Sequence, residues 1–320
     1  MSLPAEFVER LQEILDPADF ENVVASFSKP RPASFRVNTL IAEIPVVLEE
    51  LEKIGVTTRE VPWCPEAFTV NPEFRSVLVE SDAFRDGRIY IQNLSSLLPV
   101  CLLDPEPGQA VLDLAAAPGG KTLHLAARMA NQGRLSAVEV VRSRYYKLRQ
   151  NLQLGGATLV KTYLKDGRGV GSKTPEQFDL VLLDAPCSSE ARFHVDDPES
   201  WSYWGTRKIR EQSRKQRGLL KSAIQALRPG GRLAYCTCSF APEENEAVVD
   251  WQLERDPTLS VVEVKLPLDN VRVGLSDWRS KLFSPDLARA CRVLPSAEMD
   301  AFFVCLLEKS SDRPRKLRRR

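Results

Sequence analysis

The sequence predicts an α/β protein built on a mostly parallel sheet with both faces covered by helices, preceded by a small α+β module. Three observations carry this reading. From about residue 108, apolar runs of strand length alternate with helical patterns, as in a parallel sheet buried between helices. Before residue 86 the pattern differs, with helical spacing followed by short strands broken by prolines. At 320 residues the chain is too long for one minimal domain and too short for three.

Residues 5–27 read as helical, with Phe7, Leu11, Ile14 and Leu15 near helical spacing. Pro30 and Pro32 break that pattern, residues 34–40 read as a strand, and residues 44–54 as an amphipathic helix. Residues 56–80 read as short strands interrupted by Pro62 and Pro65, and a boundary falls near Asp86-Gly87. Strand candidates follow at residues 110–114, 134–139, 158–163, 178–183 and 231–236, with helices between them. In such sheets ligands sit at the carboxyl ends of the strands, which is where the chemically suggestive residues fall.

Composition narrows the function. With 43% hydrophobic and 27% charged residues the chain resembles ordinary globular proteins, and no stretch approaches the ~20 apolar residues of a membrane span. The first residues carry Glu6, Glu9 and Glu13 and no apolar or arginine-rich targeting pattern, so a cytoplasmic address is expected. A net charge of +1 announces no nucleic-acid partner, but basic residues cluster locally. One cluster is Arg207, Lys208, Arg210, Arg214, Lys215 and Arg217; the other is Arg313, Arg315, Lys316, Arg318, Arg319 and Arg320. By themselves they read as a solvated helix face and a solubilising tail. Seven cysteines, with no C-x-x-C and only two histidines in the chain, suggest reduced intracellular thiols rather than a disulfide framework or a zinc site.

The first strand of the α/β region runs into Asp113-Leu114-Ala115-Ala116-Ala117-Pro118-Gly119-Gly120-Lys121-Thr122, followed by a helical pattern. Small residues and paired glycines let a ligand approach the backbone closely, and the helix start favours an anionic group. The loop lacks the G-x-x-x-x-G-K-[ST] and G-x-G-x-x-G patterns of nucleotide and dinucleotide sites. Glu139 follows at the spacing typical of a ribose-binding acid, and Asp166 and Asp184 follow the next two strands. One acid for a ribose, one for an adenine amino group and one near a sulfonium suit S-adenosylmethionine. Each piece alone also fits a plain turn or a helix cap; their joint placement at successive strand ends favours a site.

Two cysteines follow strand ends, in Asp184-Ala185-Pro186-Cys187-Ser188 and Tyr235-Cys236-Thr237-Cys238-Ser239. Cys236, inside a strand run, reads as a packing residue, whereas Cys187 and Cys238 open onto the edge where the methyl donor is expected. Cytosine C5 is a poor nucleophile until something adds to C6, and a thiolate suits that addition. Asp184 would steady N3 as charge shifts there, and a second thiol would assist release.

These residues carry a resemblance. Residues 113–122, the motif from Asp184 through Ser188 and Thr237-Cys238-Ser239 resemble the Nop/Sun (Fmu-like) family of RNA cytosine-5 methyltransferases, and the likeness covers most of the chain. Phe35-Arg36-Val37-Asn38-Thr39-Leu40 is similar to a segment of that family's RNA-recognition-like subdomain, and residues 87–96 to the approach to its cofactor loop. While the terminal charge run reads as a disordered basic tail at 310–320, the resemblance implies a Rossmann-like class I methyltransferase domain with a seven-stranded sheet at 87–309 and an N-terminal subdomain at 1–86. It implies that residues 115–121 wrap S-adenosylmethionine, Glu139 holds the ribose, Arg144 supports that edge, Asp166 contacts adenine and Asp184 lies near the reaction. Cys238 is then the nucleophile and Cys187 the release thiol.

Two features depart from the family. Ala115 stands where a cysteine is common, and Ser189-Glu190-Ala191-Arg192-Phe193 replaces a glycine-rich continuation. The long N-terminal helical and C-terminal RNA-binding domains of some bacterial members are not expected within these residues. The expected partner is structured RNA, ribosomal or transfer, with the 207–217 cluster on phosphates and Trp201, Tyr203 and Trp204 either stacking bases or packing on the core. A monomer without metal is expected. Two other readings compete: an inactive RNA-binding assembly factor on the same fold, and a DNA cytosine methyltransferase whose nucleophile would be Cys187.

Overall fold

In the computed structural model, residues 3–30 and 33–311 are described, so the terminal basic cluster from Arg313 onward lies outside the described residues. Two helices open the chain, α1 (Ala5–Ile14) and α2 (Pro17–Ser26); Pro17 at the first turn of α2 divides the expected single helix. A small module follows with β1 (Ala33–Val37), α3 (Ile44–Lys53), β2 (Arg59–Glu60), β3 (Ala67–Val70), α4 (Arg75–Glu80), α5 (Asp82–Arg85) and β4 (Ile89–Ile91). Its antiparallel sheet has the order β2-β3-β1-β4. The structure corrects the sequence reading twice here. Residues 75–80 are helical rather than extended, and the small sheet continues to Ile91, past the boundary placed near Asp86-Gly87.

The larger domain contains α6 (Leu98–Leu103), β5 (Ala110–Asp113), α7 (Gly120–Arg128), β6 (Arg134–Glu139), α8 (Arg142–Leu154), β7 (Val160–Leu164), β8 (Phe178–Asp184), α9 (Thr206–Ala226), β9 (Leu227–Thr237) and α10 (Glu246–Leu253). Short strands complete it: β10 (Leu259–Val262), β11 (Val271–Val273), β12 (Asp277–Trp278), β13 (Lys281–Leu282), β14 (Cys291–Val293) and β15 (Phe302–Lys309). The strands β5 to β9 pair in parallel, and β15, β14, β11 and β10 extend the sheet antiparallel beyond β9. Among the described residues the sheet has nine strands, not seven. Three of the nine, β10, β11 and β14, are only three or four residues long, too brief to register as apolar runs in the sequence.

Alternation along the strands divides the core. Val111, Leu135, Leu180, Leu182, Ala234 and Val304 face a layer containing α6, α7 and α8. Leu112, Val138, Val181, Leu183, Leu233 and Phe303 face α9 and α10. Burial on both faces explains the near-continuous apolar run of β8. Strand order reverses between β5 and β8, which opens a crevice at their carboxyl ends.

Asn38 joins the module to this domain. Its buried amide donates to the Gly87 and Gly155 carbonyls at 3.0 and 2.9 Å, so this residue of the Arg-Val-Asn-Thr segment acts as a strut. Arg36 beside it is fully buried, and burial pushes its guanidinium down to about 10.

Candidate functional site

The loop after β5 is shaped by small residues. Gly119 takes φ +111°, which L side chains rarely adopt, and turns the chain into α7. At Gly120 a Cβ would lie 2.6 Å from the Tyr90 ring, so glycine alone lets the loop pack against the module. Three backbone anchors hold the loop. The Ala116 amide donates to the Val138 carbonyl at 2.9 Å, Arg144 donates to the Ala117 carbonyl at 2.6 Å, and Asn151 donates to the Pro118 carbonyl at 2.7 Å.

The acids ring this loop at successive strand ends. Asp113 ends β5, fully buried; burial raises its carboxyl to about 7 although Thr122 donates to it at 2.7 Å. Its other oxygen is buried without a partner. Glu139, ending β6, is buried, accepts from the Val141 amide at 2.8 Å and lies 3.9 Å from Arg144. Asp166, after β7, accepts from the Arg168 amide at 2.9 Å and pairs with its guanidinium at 2.5 Å, a hydrogen bond that holds the carboxyl below its usual range. Asp184, ending β8, receives Lys121 at 2.6 Å. Burial pulls the Lys121 ammonium down, but the Asp184 charge leads the opposing effects and the net shift is upward. The loop and the strand ends are thereby tied across the crevice.

Cys187 and Cys238 leave neighbouring strands, because β8 and β9 pair in parallel with Asp184 beside Cys236. Their sulfurs are 3.4 Å apart and both residues are partly exposed. They titrate in opposite directions. The hydrogen bond from Cys187 is the largest influence on Cys238; with Arg192 it outweighs burial and lowers that thiol to about 7. The same bond and burial push Cys187 well above its ordinary value. Cys236 is fully buried and burial raises its thiol too, which fits a packing residue.

The two cysteine loops are fixed by carboxylates that sequence reasoning did not single out. Buried Glu190 accepts from Ser239 Oγ (3.0 Å), the amides of Phe240 (2.7 Å) and Ala241 (3.0 Å), and Trp204 Nε1 (2.8 Å). Glu244 accepts from the Ser188 hydroxyl at 2.5 Å and amide at 3.1 Å, and burial raises its carboxyl to about 8. The signal for Glu190 lay in the departing stretch 189–193, where an acid replaces glycine-rich sequence beside apolar Ala191 and Phe193.

The aromatic alternatives separate in space. Trp204 packs edge-on against Phe7 and Phe193 with ring centroids 5.4 and 6.2 Å apart, and Trp201 against Phe193 at 6.1 Å. Tyr203 stands 89% exposed. On α9, Arg207, Arg210, Arg214 and Lys215 are exposed, whereas Arg217 lies over the Trp251 ring at 5.8 Å. Among the described residues no helix is long and apolar enough to cross a membrane.

Comparison with known proteins agrees with this architecture. The family model described as 16S rRNA methyltransferase RsmB/F matches residues 100–308, and the model for the N-terminal domain of 16S rRNA methyltransferase RsmF matches residues 3–94. The curated ribosomal RNA small subunit methyltransferase F of Escherichia coli O139:H28 is 39% identical over 317 residues, 97% of this chain and 64% of that protein. The counterpart from Shigella boydii serotype 18 shows the same identity and coverage. The chain thus spans 64% of the length of these curated relatives. Among solved structures, a methyltransferase homolog protein from Pyrococcus horikoshii superposes with TM-score 0.83 and 32% identity, covering 96% of this chain and 95% of that one. NSun6 from the same organism, solved with SFG, shares the fold at TM-score 0.81 and 22% identity, covering 97% and 99%. The paired thiols, the glycine-bearing loop and a family match over more than half the chain converge: this protein belongs to the RsmB/F family of 16S rRNA methyltransferases, in keeping with the Nop/Sun resemblance of its motifs.

Proposed function

We infer that this chain transfers a methyl group from S-adenosylmethionine to C5 of a cytosine in structured RNA, with small-subunit ribosomal RNA as the substrate class its curated relatives' names point to. The observation that carries this is the pair of sulfurs 3.4 Å apart, one thiol lowered and the other raised, at the carboxyl edge of the sheet.

The residues fit the cofactor. Asp113 keeps a buried oxygen without a partner at the start of the loop, and the acids ending β5, β6 and β8, with Asp166 just beyond β7, ring the loop. In this reading the backbone of Ala115, Ala116, Ala117, Pro118, Gly119, Gly120 and Lys121 wraps the cofactor. Glu139 accepts the ribose hydroxyls, Arg144 braces that edge, and Asp166 takes the adenine amino group. S-adenosylmethionine bound there supplies an electrophilic methyl group.

Cys238, half ionised near neutrality, adds to cytosine C6 and forms an S–C bond while electron density moves toward C5 and N3. In this reading Asp184 steadies N3 by delivering a proton to it as charge builds there, and Lys121, 2.6 Å from the Asp184 carboxyl, compensates the carboxylate that remains. After C5 is methylated its proton passes to solvent, N3 returns its proton to Asp184, and the S–C bond breaks to restore the Cys238 thiolate. Cys187, retained as a neutral thiol, hydrogen-bonds that returning charge and assists release. The division of roles favours Cys238 over Cys187 as nucleophile, because only the lowered thiol is ionised at neutral pH.

Transfer of labelled methyl groups to small-subunit ribosomal RNA lacking the modification tests the reading. Cys238→Ala should abolish transfer while still binding S-adenosylmethionine. Full activity in that variant would refute the nucleophile assignment, and absence of transfer by the parent chain would favour a non-catalytic role.

A further inference from the structure

Away from the thiol pair, a second group of soft ligands lies where the N-terminal module meets the larger domain. Cys64 sits in the turn between β2 and β3, Cys101 on α6, and His124 on α7. Two sulfurs and a ring nitrogen from these residues lie within 4.8 Å of one another. The three come from positions far apart in the chain, so no spacing motif announces them.

The histidine is the telling member. It is fully buried, and its Nε2 is 2.8 Å from Glu66 Oε1. Glu66 is in turn held by Arg128, whose Nε and Nη2 donate at 2.7 and 3.2 Å. A carboxylate fixed by a guanidinium accepts only, so the imidazole proton belongs on Nε2 and the lone pair on Nδ1. That Nδ1 is buried and has no hydrogen-bond partner. A carboxylate orienting one imidazole nitrogen while the other presents a lone pair is the outer-shell arrangement of metal-binding histidines. Two thiols within 4.8 Å of a ring nitrogen complete a donor set that hard cations disfavour and thiophilic ones select.

We propose that Cys64, Cys101 and His124 bind one thiophilic d10 cation, Zn2+ or Cu+, that clamps the N-terminal module to α6 and α7. Metal–sulfur and metal–nitrogen bonds of about 2.3 and 2.0 Å require donors roughly 3.6–3.8 Å apart, so the ligands close by up to about 1 Å on binding. Both thiols lose their protons to solvent as the bonds form. Cys101 is partly exposed, which provides an entry path, and the Arg128 guanidinium 3.7 Å from its sulfur favours the thiolate. Because α7 begins at Gly120, the clamp would steady the helix that carries the Gly120-Lys121 end of the glycine loop.

The test uses the reduced full chain carrying Cys187→Ala and Cys238→Ala, which removes the other close thiol pair. Titration with Zn2+, or with Cu+ under anaerobic conditions, followed by gel filtration and elemental analysis, should retain one equivalent per chain. The two arms distinguish the ions. Added Cys64→Ser or Cys101→Ser should reduce retention to background. X-ray absorption on the chain with all three ligands intact should show two sulfur scatterers and one imidazole, a readout that survives any misfolding of the serine variants. No retained ion in either arm, retention unchanged in both serine variants, or a Cys64–Cys101 disulfide in place of metal would overturn the proposal.

Discussion

Removing the Cys187 thiol should change both the amount and the reactivity of the Cys238 thiolate, in opposite senses. Cys238 is lowered to about 7, first by the hydrogen bond from Cys187 and then, against burial, by Arg192. It is therefore about half ionised at pH 7. Without the donor, its titration should return toward the ordinary cysteine value of about 8.5, leaving roughly 3% thiolate at pH 7. The thiolate fraction falls about 16-fold, but a more basic thiolate is a better nucleophile. With a Brønsted slope of about 0.45, a rise of roughly 1.5 units increases intrinsic reactivity about fivefold. The net effect in Cys187→Ala is a roughly threefold slower reaction of Cys238 at pH 7 and a roughly fivefold faster one above pH 9.5, with the profiles crossing near pH 8. Iodoacetamide alkylation of the Cys238 peptide, followed by mass spectrometry across pH 6–10, reads this directly. Parallel profiles with an unchanged midpoint near 7 would show that Cys187 does not set the ionisation of Cys238.

Three further outcomes are expected. Glu190→Ala leaves the buried Phe240 and Ala241 amides and the Ser239 hydroxyl without their shared acceptor; urea unfolding should show a loss of about 3–5 kcal/mol, and less than 1 kcal/mol would mean the loop is held by other means. Glu244, raised by burial to about 8 in the folded chain, binds its proton more tightly there than when unfolded. Its contribution is complete below about pH 4.5 and is lost as pH rises through 8. Glu244→Gln should therefore flatten the decline in urea midpoint between pH 5 and 8, and an unchanged slope would place the titration elsewhere. Gly120→Ala puts a methyl group 2.6 Å from the Tyr90 ring; a cost of about 1–3 kcal/mol and weaker S-adenosylmethionine binding by calorimetry are expected, whereas parental affinity would show that the Tyr90 contact does not set the shape of the loop.

What could be read from sequence follows from how local each signal is. The strands β5 to β9 bury side chains on both faces, so each is an unbroken apolar run, and the residues at their ends could be placed without coordinates. The strands β10, β11 and β14 are only three or four residues long, and their pairing depends on partners distant in the chain, which is why the strand count fell short. Glycine and proline marked the loop from Ala115 to Lys121 because its conformation excludes most other residues. Glu190 and Glu244 escaped notice because a buried acid looks like any surface acid until its donors are assembled. The split between Cys187 and Cys238 likewise depends on a distance across two strands, and the family resemblance assigned roles before that distance was known. The Cys64, Cys101 and His124 group was invisible to spacing rules, since its members come from a turn and two different helices.

The central claim is that Cys238 attacks the base and Cys187 releases it. The most direct measurement incubates Cys187→Ala with S-adenosylmethionine and unmodified small-subunit ribosomal RNA, digests the trapped complex with nuclease and protease, and maps the nucleotide-bearing peptide by mass spectrometry. A methylated cytidine nucleotide is expected on the peptide containing Cys238, and none when Cys238→Ala is added. A nucleotide attached to any other residue, or an adduct that persists without Cys238, would contradict it.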